Sequence, residues 1–173
     1  YDQLNQKDLA TSLHFSVENG MHSITKNLVK LGAEVDSQDK DGNTPLIKAA
    51  NNNHHSIVKL LVDNEADIHL ANHKGTTAAQ RALESNNPQS FSLLKKLGAD
   101  LGFINDYDDT SFLRGSENGN LLLVKTLLKR GINPNTPINF YNKFTALALA
   151  AKNGHISVVE KLITAGAKVG TLS

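Results

Sequence analysis

A threonine recurs along this chain at nearly equal intervals. Successive members of the series are 33 residues apart until the last step, which is 35 residues: Thr11, Thr44, Thr77, Thr110 and Thr145. Four glycines and one glutamate keep the same intervals: Gly32, Glu65, Gly98, Gly131 and Gly166. Such a period indicates a small unit that is stacked on copies of itself until a continuous apolar core exists. The sequence therefore predicts one domain of five repeats, at about 6–38, 39–71, 72–104, 105–139 and 140–173.

Each repeat has the pattern of two short helices separated by a turn. In the second repeat, Thr44 can cap a helix that begins at Pro45, because proline suits the first helical position. The first helix has a face of small residues, which lets a more aliphatic second helix approach closely. First helices are predicted near 10–19, 43–52, 76–85, 109–118 and 144–153, and second helices near 21–31, 54–64, 87–97, 120–130 and 155–165.

Several short motifs resemble the ankyrin repeat. They are Thr44-Pro45-Leu46, Ala49-Ala50, Glu65-Ala66-Asp67, Gly98-Ala99-Asp100 and Asn153-Gly154-His155. The resemblance covers nearly the whole chain and implies an all-α ankyrin-repeat solenoid of helix-turn-helix units joined by β-hairpin-like turns. It also implies a protein–protein interaction module that has no enzymatic activity and no cofactor. Such a module would bind a partner protein through its concave face and the tips of its turns.

Departures from the repeat pattern predict local irregularities. Asn53 and Glu65 stand where other repeats have glycine, and both are expected to adopt a left-handed backbone conformation. The first helix of the fourth repeat is expected to be the weakest, because it contains Gly115 and Ser116. The two extra residues fall within 134–143, which predicts a longer turn between the fourth and fifth repeats.

The composition argues against several classes of function. The 18 basic and 17 acidic residues leave a net charge of +1, without the excess of positive charge typical of a nucleic-acid binder. The absence of cysteine excludes disulfides, thiolate catalysis and cysteine-based zinc sites. No apolar run approaches the length of a membrane-spanning helix, so membrane insertion is not expected. We expect a protein of the cytoplasm.

Two features suggest a fragment of a larger protein with a particular origin. The sequence starts at Tyr1 without an initiator methionine, and it ends at Ser173, a few residues after the Gly166-Ala167 turn. Separately, its 19 asparagines are typical of an AT-rich genome. Effectors of intracellular bacterial pathogens often have this composition and often carry ankyrin-like arrays. The hypothesis is therefore the recognition domain of a bacterial effector that acts in the cytoplasm of a host cell.

The seven histidines show no catalytic or metal-binding spacing. His14 and His155 match positions of the ankyrin repeat, and at the first of these the ring usually bonds the backbone of a neighbouring turn. His54 and His55 are adjacent, so they point in different directions on a helix and cannot share one site there. His69 completes a pattern similar to one that asparaginyl hydroxylases accept, with histidine in place of asparagine. The alternative for His69 is an ordinary exposed turn residue.

Basic residues occupy equivalent positions on successive first helices, with apolar residues at the same position in the outer repeats: Lys48, Arg81 and Arg114, flanked by Phe15 and Leu149. We name Lys48, Arg81 and Arg114 the basic column. One interpretation is a receptor for an acidic peptide or small anionic ligand, because arginine binds carboxylates with two parallel hydrogen bonds. The alternative is local neutralisation, because Glu84 and Glu117 each follow an arginine at the three-residue spacing of helix ion pairs.

Aromatic residues collect in the turns predicted before the first helices of the fourth and fifth repeats: Tyr107, Phe140, Tyr141 and Phe144. Phe91 and Phe112 instead replace aliphatic residues and are expected in the core. Aromatic side chains supply much of the binding energy at protein interfaces. We predict that Tyr107, Tyr141 and Phe144 contact the partner, flanked by Arg81 and Arg114. Alternatively, Phe140 or Phe144 folds back to cover the longer turn.

The last predicted helix carries the same apolar set as the helices inside the array: Val158, Val159, Leu162 and Ile163. A terminal repeat of a complete array should present a polar outer face to water. The pattern therefore predicts self-association through the C-terminal repeat, or further helices after Ser173.

Overall fold

The computed structural model describes residues 5–101, 106–136 and 144–169, and for residues 106–108 it describes the backbone alone. Within these ranges the chain forms ten α-helices, with an isolated β-bridge between Ala71 and Thr77. The helices are α1 (Gln6–Glu18), α2 (His22–Lys30), α3 (Pro45–Asn51), α4 (His55–Asp63), α5 (Ala78–Glu84), α6 (Pro88–Lys96), α7 (Asp106–Glu117), α8 (Leu121–Lys129), α9 (Ala146–Lys152) and α10 (Ile156–Thr164).

The chain divides into an N-terminal body, residues 1–101, and a C-terminal body, residues 102–173. In the N-terminal body the first helices α1, α3 and α5 pack side by side, and the second helices α2, α4 and α6 pack in the same order. In the C-terminal body α7 packs on α9 and α8 packs on α10. The predicted all-α stacking of helix pairs is therefore confirmed within each body.

Three of the recurring threonines start a first helix. Thr44 Oγ accepts a hydrogen bond from the Ile47 N–H at 3.2 Å, and Thr145 caps α9 in the same way. Thr77 accepts from the Gln80 N–H at 3.4 Å, while the Gln80 side chain accepts from the Thr77 N–H at 2.8 Å. This reciprocal pair satisfies two backbone donors that a helix start leaves free. The prediction that the Thr44 side chain caps α3 is confirmed.

Two helices begin earlier than predicted. The sequence predicts α1 from residue 10, but Asn5 caps the helix instead, with its Oδ1 accepting from the Lys7 N–H at 3.0 Å. Thr11 therefore lies inside α1, where its hydroxyl donates to the Lys7 carbonyl at 2.8 Å. Helix α7 begins at Asp106 rather than at residue 109. Three aspartates within 106–109 favour this earlier start, because negative charge stabilises a helix N-terminus.

The core of each body combines small and aliphatic residues. Four alanines of α3 and α5 are completely buried: Ala49, Ala50, Ala79 and Ala82. Among the aromatic residues predicted for the core, Phe112 is buried and Phe91 is half-buried. Asn53 and Glu65 adopt the left-handed conformation predicted for them, with φ of 58° and 66°.

Gly115 has a packing role that its sequence position did not reveal. It is buried in α7, and a Cβ atom added to it would lie 2.9 Å from Leu123 Cδ2 on α8. Glycine therefore allows α7 and α8 to approach closely. None of the described helices is long and apolar enough to cross a membrane.

Candidate functional site

A polar groove of about 350 Å³ opens in the N-terminal body. Its walls come from the end of α1, the turn before α3, the exposed side of α3 and one residue of α5: Glu18, Asp39, Asp41, Asn43, Ile47, Lys48, Asn51, Asn52 and Arg81. We call it the α3 groove. Two of the three residues of the basic column, Lys48 and Arg81, lie in it. Arg114 is an exposed residue of the C-terminal body.

The turn before α3 is organised by the carboxylate of Asp39. Its Oδ1 accepts hydrogen bonds from the N–H groups of Asp41 and Asn43, both at 2.9 Å. The Asp39 N–H donates to the Asn43 carbonyl at 3.1 Å and so closes the turn. These three hydrogen bonds fix the conformation of the turn that precedes α3.

Lys48 forms an ion-paired centre in the groove. Its Nζ lies 3.2 Å from Glu18 Oε2 and 3.1 Å from Asp39 Oδ2. Burial raises the pKa of Asp39, but hydrogen bonds from the Asn43 N–H, the Lys48 ammonium and the Asp41 N–H outweigh that effect and lower it to about 2. Burial lowers the pKa of Lys48, but its hydrogen bonds to Asp39 and Glu18 outweigh that effect, so the pKa is raised above its ordinary value. Asp39 and Lys48 therefore both remain charged at neutral pH.

Arg81 is also paired with a carboxylate. Its Nη1 lies 3.2 Å from Glu84 Oε2, three residues along α5. Local neutralisation, one of the two interpretations of the basic column, is therefore confirmed for Arg81. For Arg114 and Glu117, the described atoms form no ion pair within 4.0 Å. Two cations of the basic column thus already have anionic partners within the fold.

The predicted aromatic contact residues are only partly described. Phe140 and Tyr141 lie outside the described residues. Tyr107 was predicted in the turn before the first helix of the fourth repeat, but its backbone belongs to the first turn of α7, because that helix starts earlier than predicted. The side chain of Tyr107 is not described. Phe144 is half-buried, and the Lys152 ammonium lies 5.7 Å from the centre of its ring.

The His14 ring bonds the backbone of the turn that follows α2. His14 Nε2 lies 3.0 Å from the Ser37 carbonyl oxygen, as the resemblance implied. Burial, followed by the charge of Lys48, lowers the pKa of His14. His69 is exposed in a turn, as an ordinary turn residue would be. In the described part of the chain, no three His, Asp or Glu side chains gather as a metal ion would require.

The last helix differs from its prediction in part. Of the apolar set expected to face outward, Val158 and Leu162 are buried, because α10 turns that side toward α8 and α9. Ile163 is half exposed at 49%. Two residues not singled out in the sequence, Ile156 at 71% and Val169 at 77%, are more exposed still.

Sequence reasoning missed the acidic side of the α3 groove. Glu18 belongs to the first repeat, and Asp39 and Asp41 belong to the second. These three residues do not occupy equivalent positions, so a comparison of equivalent positions in successive repeats does not group them. A signal was present, because Asp39 and Asp41 flank a lysine in a short turn that ends in Gly42. The partner of Lys48 on α1 lies 30 residues earlier and has no local signature.

Stacked helix pairs with a polar groove beside the first helices are typical of repeat proteins that serve as interaction scaffolds. Two ankyrin family descriptions match the chain: "Ankyrin repeats (3 copies)" at residues 13–105, more than half of the chain, and "Ankyrin repeats (many copies)" at residues 103–163. The chain therefore belongs to the ankyrin repeat family. Proteins of this family are generally protein–protein interaction modules and are typically not enzymes. A search of curated proteins found no match.

Proposed function

We propose that this protein binds a partner protein, with the α3 groove as the principal contact surface. The observation that carries the proposal is a groove lined by charged and amide side chains in a member of a family of interaction modules. The Asn51 amide donates to Asn52 Oδ1 at 2.8 Å and accepts from the Ser85 hydroxyl at 3.1 Å, and the Asn52 amide donates to the Glu18 carbonyl at 3.2 Å. Each of the two amides has donor and acceptor capacity beyond these bonds. A partner segment could therefore find donors and acceptors there without unfolding the array.

The aromatic contact set and the arginines are part of the same proposal. Tyr107, Phe140, Tyr141 and Phe144, together with Arg114, would form a separate contact surface on the C-terminal body. The alternative is a receptor for an acidic peptide or a small anion through Lys48, Arg81 and Arg114. It has weaker support, because Lys48 and Arg81 are paired with Glu18, Asp39 and Glu84.

The experiment is an unbiased selection of ligands. A display library of random dodecapeptides is selected against the chain, and each selected peptide is titrated into isotope-labelled protein to map the backbone amides that shift. We expect the shifts to concentrate at residues 39–52, and we expect Asn51→Ala to weaken binding about tenfold. Asn27→Ala, at an exposed asparagine of α2 outside the groove, is the matched control. Ligands that map to α4 and α6 instead would show that the groove is not the binding surface.

The proposal also covers the cellular location of the protein and its self-association. The asparagine-rich composition supports the hypothesis of an effector, acting in the cytoplasm of the producing cell or of a host cell. The exposed Ile156, Ile163 and Val169 support self-association through the C-terminal body. Sedimentation tests this: the chain should show concentration-dependent association that Ile156→Gln with Ile163→Gln removes. A chain that sediments as a monomer at every concentration would exclude self-association.

A further inference from the structure

We propose that the α3 groove is selective for a basic side chain, a lysine or arginine of the partner polypeptide. This inference rests on the proposed function, because it assumes that a polypeptide enters the groove. It reverses the preference for acidic ligands that the basic column suggests in the sequence. The reason is that the fold uses up the cations of the groove and leaves carboxylates free.

The charges that line the groove have an acidic surplus. Three carboxylates, Glu18, Asp39 and Asp41, face two cations, Lys48 and Arg81. The arginine is further paired with Glu84, which adds a fourth carboxylate beside the groove. Like charges that are brought together without a compensating partner cost free energy, and opposite charges steer association. The surplus therefore favours an incoming cation.

The cations have little capacity left for an anion. The Lys48 ammonium donates to Glu18 at 3.2 Å and lies 3.1 Å from Asp39, and the Lys48 side chain is only 19% exposed. An acidic ligand would have to compete with these two carboxylates for the same three N–H donors. Displacing either carboxylate would leave a partly buried charge without its partner, which is costly.

Two carboxylates retain free acceptors. Asp41 is exposed, and among the described residues its carboxylate has no hydrogen-bond or ion-pair partner. The Glu18 side chain is 58% exposed and contacts Lys48 through Oε2, so its other oxygen is available. Carboxylate oxygens accept strong, charge-assisted hydrogen bonds from lysine and arginine. A partner cation between Glu18 and Asp41 would balance the charge of the groove.

An exposed aromatic ring stands next to this acceptor. Phe15 is 62% exposed and lies three residues before Glu18 on α1, so the two side chains are neighbours on the helix surface. A lysine or arginine that reaches Glu18 can place its methylene stem or its charged head on the ring. Phe15 therefore offers the apolar part of a basic side chain a surface that a short acidic side chain would not cover.

Three matched peptide pools test the inference. Each pool consists of random nonapeptides with a fixed central residue, which is arginine, glutamine or glutamate, and binding is measured by fluorescence anisotropy and by mapping of shifted amides. We expect the arginine pool to bind at least about tenfold tighter than the glutamate pool. Higher salt should weaken the arginine pool most, because salt screens charge pairs near the surface.

Isosteric variants show which carboxylates cause the tighter binding of the arginine pool. The double variant Glu18→Gln with Asp41→Asn removes two charges with little change of shape, and it should abolish the advantage of the arginine pool. Glu34→Gln with Asp63→Asn removes two charges from exposed carboxylates outside the groove and should retain the advantage. Thermal unfolding of each variant checks that the fold is intact. Phe15→Ala should weaken the arginine pool more than the glutamine pool.

The outcomes separate the inference from the proposed function. If the pools shift groove amides with equal affinity, or if the glutamate pool binds tightest, the basic preference is wrong while the groove remains a binding surface. If none of the pools shifts amides of residues 39–52, and the selected dodecapeptides do not either, both the proposed function and the inference fail.

Discussion

His54 reaches back to Glu18 in the preceding repeat. Its Nε2 lies 3.3 Å from the Glu18 carbonyl oxygen, and a Cβ atom added to Gly20 would lie 2.7 Å from its Cε1. The same arrangement recurs at His155, whose Nε2 lies 2.8 Å from the Glu117 carbonyl. The hydrogen bond fixes the end of α1, where the Glu18 side chain borders the α3 groove. Stacking of repeats and geometry of the groove are thus linked through one residue.

The first prediction concerns this hydrogen bond. His54→Ala should lower the free energy of unfolding by about 1 kcal/mol, since the Glu18 carbonyl loses one of its partners. His54→Asn should retain most of the stability, because Asn87 occupies the equivalent place in the next repeat and its side-chain amide donates to the Ala50 carbonyl. Urea unfolding measures both changes.

A matched control for this prediction is His22→Ala. His22 is an exposed residue of α2, and its side chain forms no hydrogen bond with the described part of the chain. Its replacement should change stability by less than about 0.5 kcal/mol. Equal effects of His54→Ala and His22→Ala would contradict a role of His54 in stacking.

The second prediction compares two glycines with positive φ, Gly20 at 68° and Gly32 at 87°. Gly32→Ala should cost about 1 kcal/mol, the penalty of a left-handed alanine, because nothing lies within 4 Å of the added Cβ. Gly20→Ala should cost about 1 kcal/mol more, because its Cβ meets the His54 ring. In the double variant with His54→Ala, the additional cost should disappear. A strictly additive double-mutant cycle would disprove the contact.

The third prediction concerns acid stability. Folding lowers the pKa of the Asp39 carboxyl from its ordinary value of 3.8 to about 2. Its ionised form therefore stabilises the fold above about pH 4, and this contribution is lost as the pH falls through about 2. Asp39→Asn should be less stable than the wild type at pH 6, and the difference should shrink between pH 4 and pH 2. Urea midpoints at a series of pH values measure it. A difference independent of pH would contradict the stabilisation of the ionised Asp39 carboxylate by the Asn43 N–H, Lys48 and the Asp41 N–H.

The fourth prediction concerns a buried hydroxyl. Ser90 in α6 is completely buried, and within the described residues its Oγ has no hydrogen-bond partner. Equivalent positions in three other repeats hold buried aliphatic residues: Ile57, Leu123 and Val158. Ser90→Ala removes an unsatisfied polar group and improves helix propensity, so we expect about 1 kcal/mol of added stability.

Ser16→Ala is the control for the buried hydroxyl. Ser16 is equally buried, but its Oγ donates to the Leu13 carbonyl at 3.0 Å and lies 3.0 Å from the Thr25 hydroxyl. Its loss should destabilise the fold, because the Thr25 hydroxyl loses a partner. A thermal midpoint that falls in both variants would show that Ser90 finds a partner in solution.

Most of the fold was predictable because the repeat is a local pattern. Thr44, Pro45 and the alanines of α3 lie within seven residues, so the start and the buried face of that helix follow from neighbouring residues. The start of α1 was missed because the frame placed the cap near Thr11, whereas Asn5, outside the repeat pattern, supplies it. The start of α7 was missed for a related reason. The aspartates within 106–109 stabilise a helix N-terminus earlier than the position that the repeat pattern predicts.

The sequence by itself determined the family, the period and the helix pairs, because these depend on contacts that recur in every repeat. Only the tertiary structure decided which charges are free. Lys48 and Glu18 are 30 residues apart and meet only after α1 and α3 have packed together. An ion pair between charges on different repeats forms only when folding brings the two side chains together, so Lys48, which the sequence places in a column of cations, lies in a groove with more carboxylates than cations.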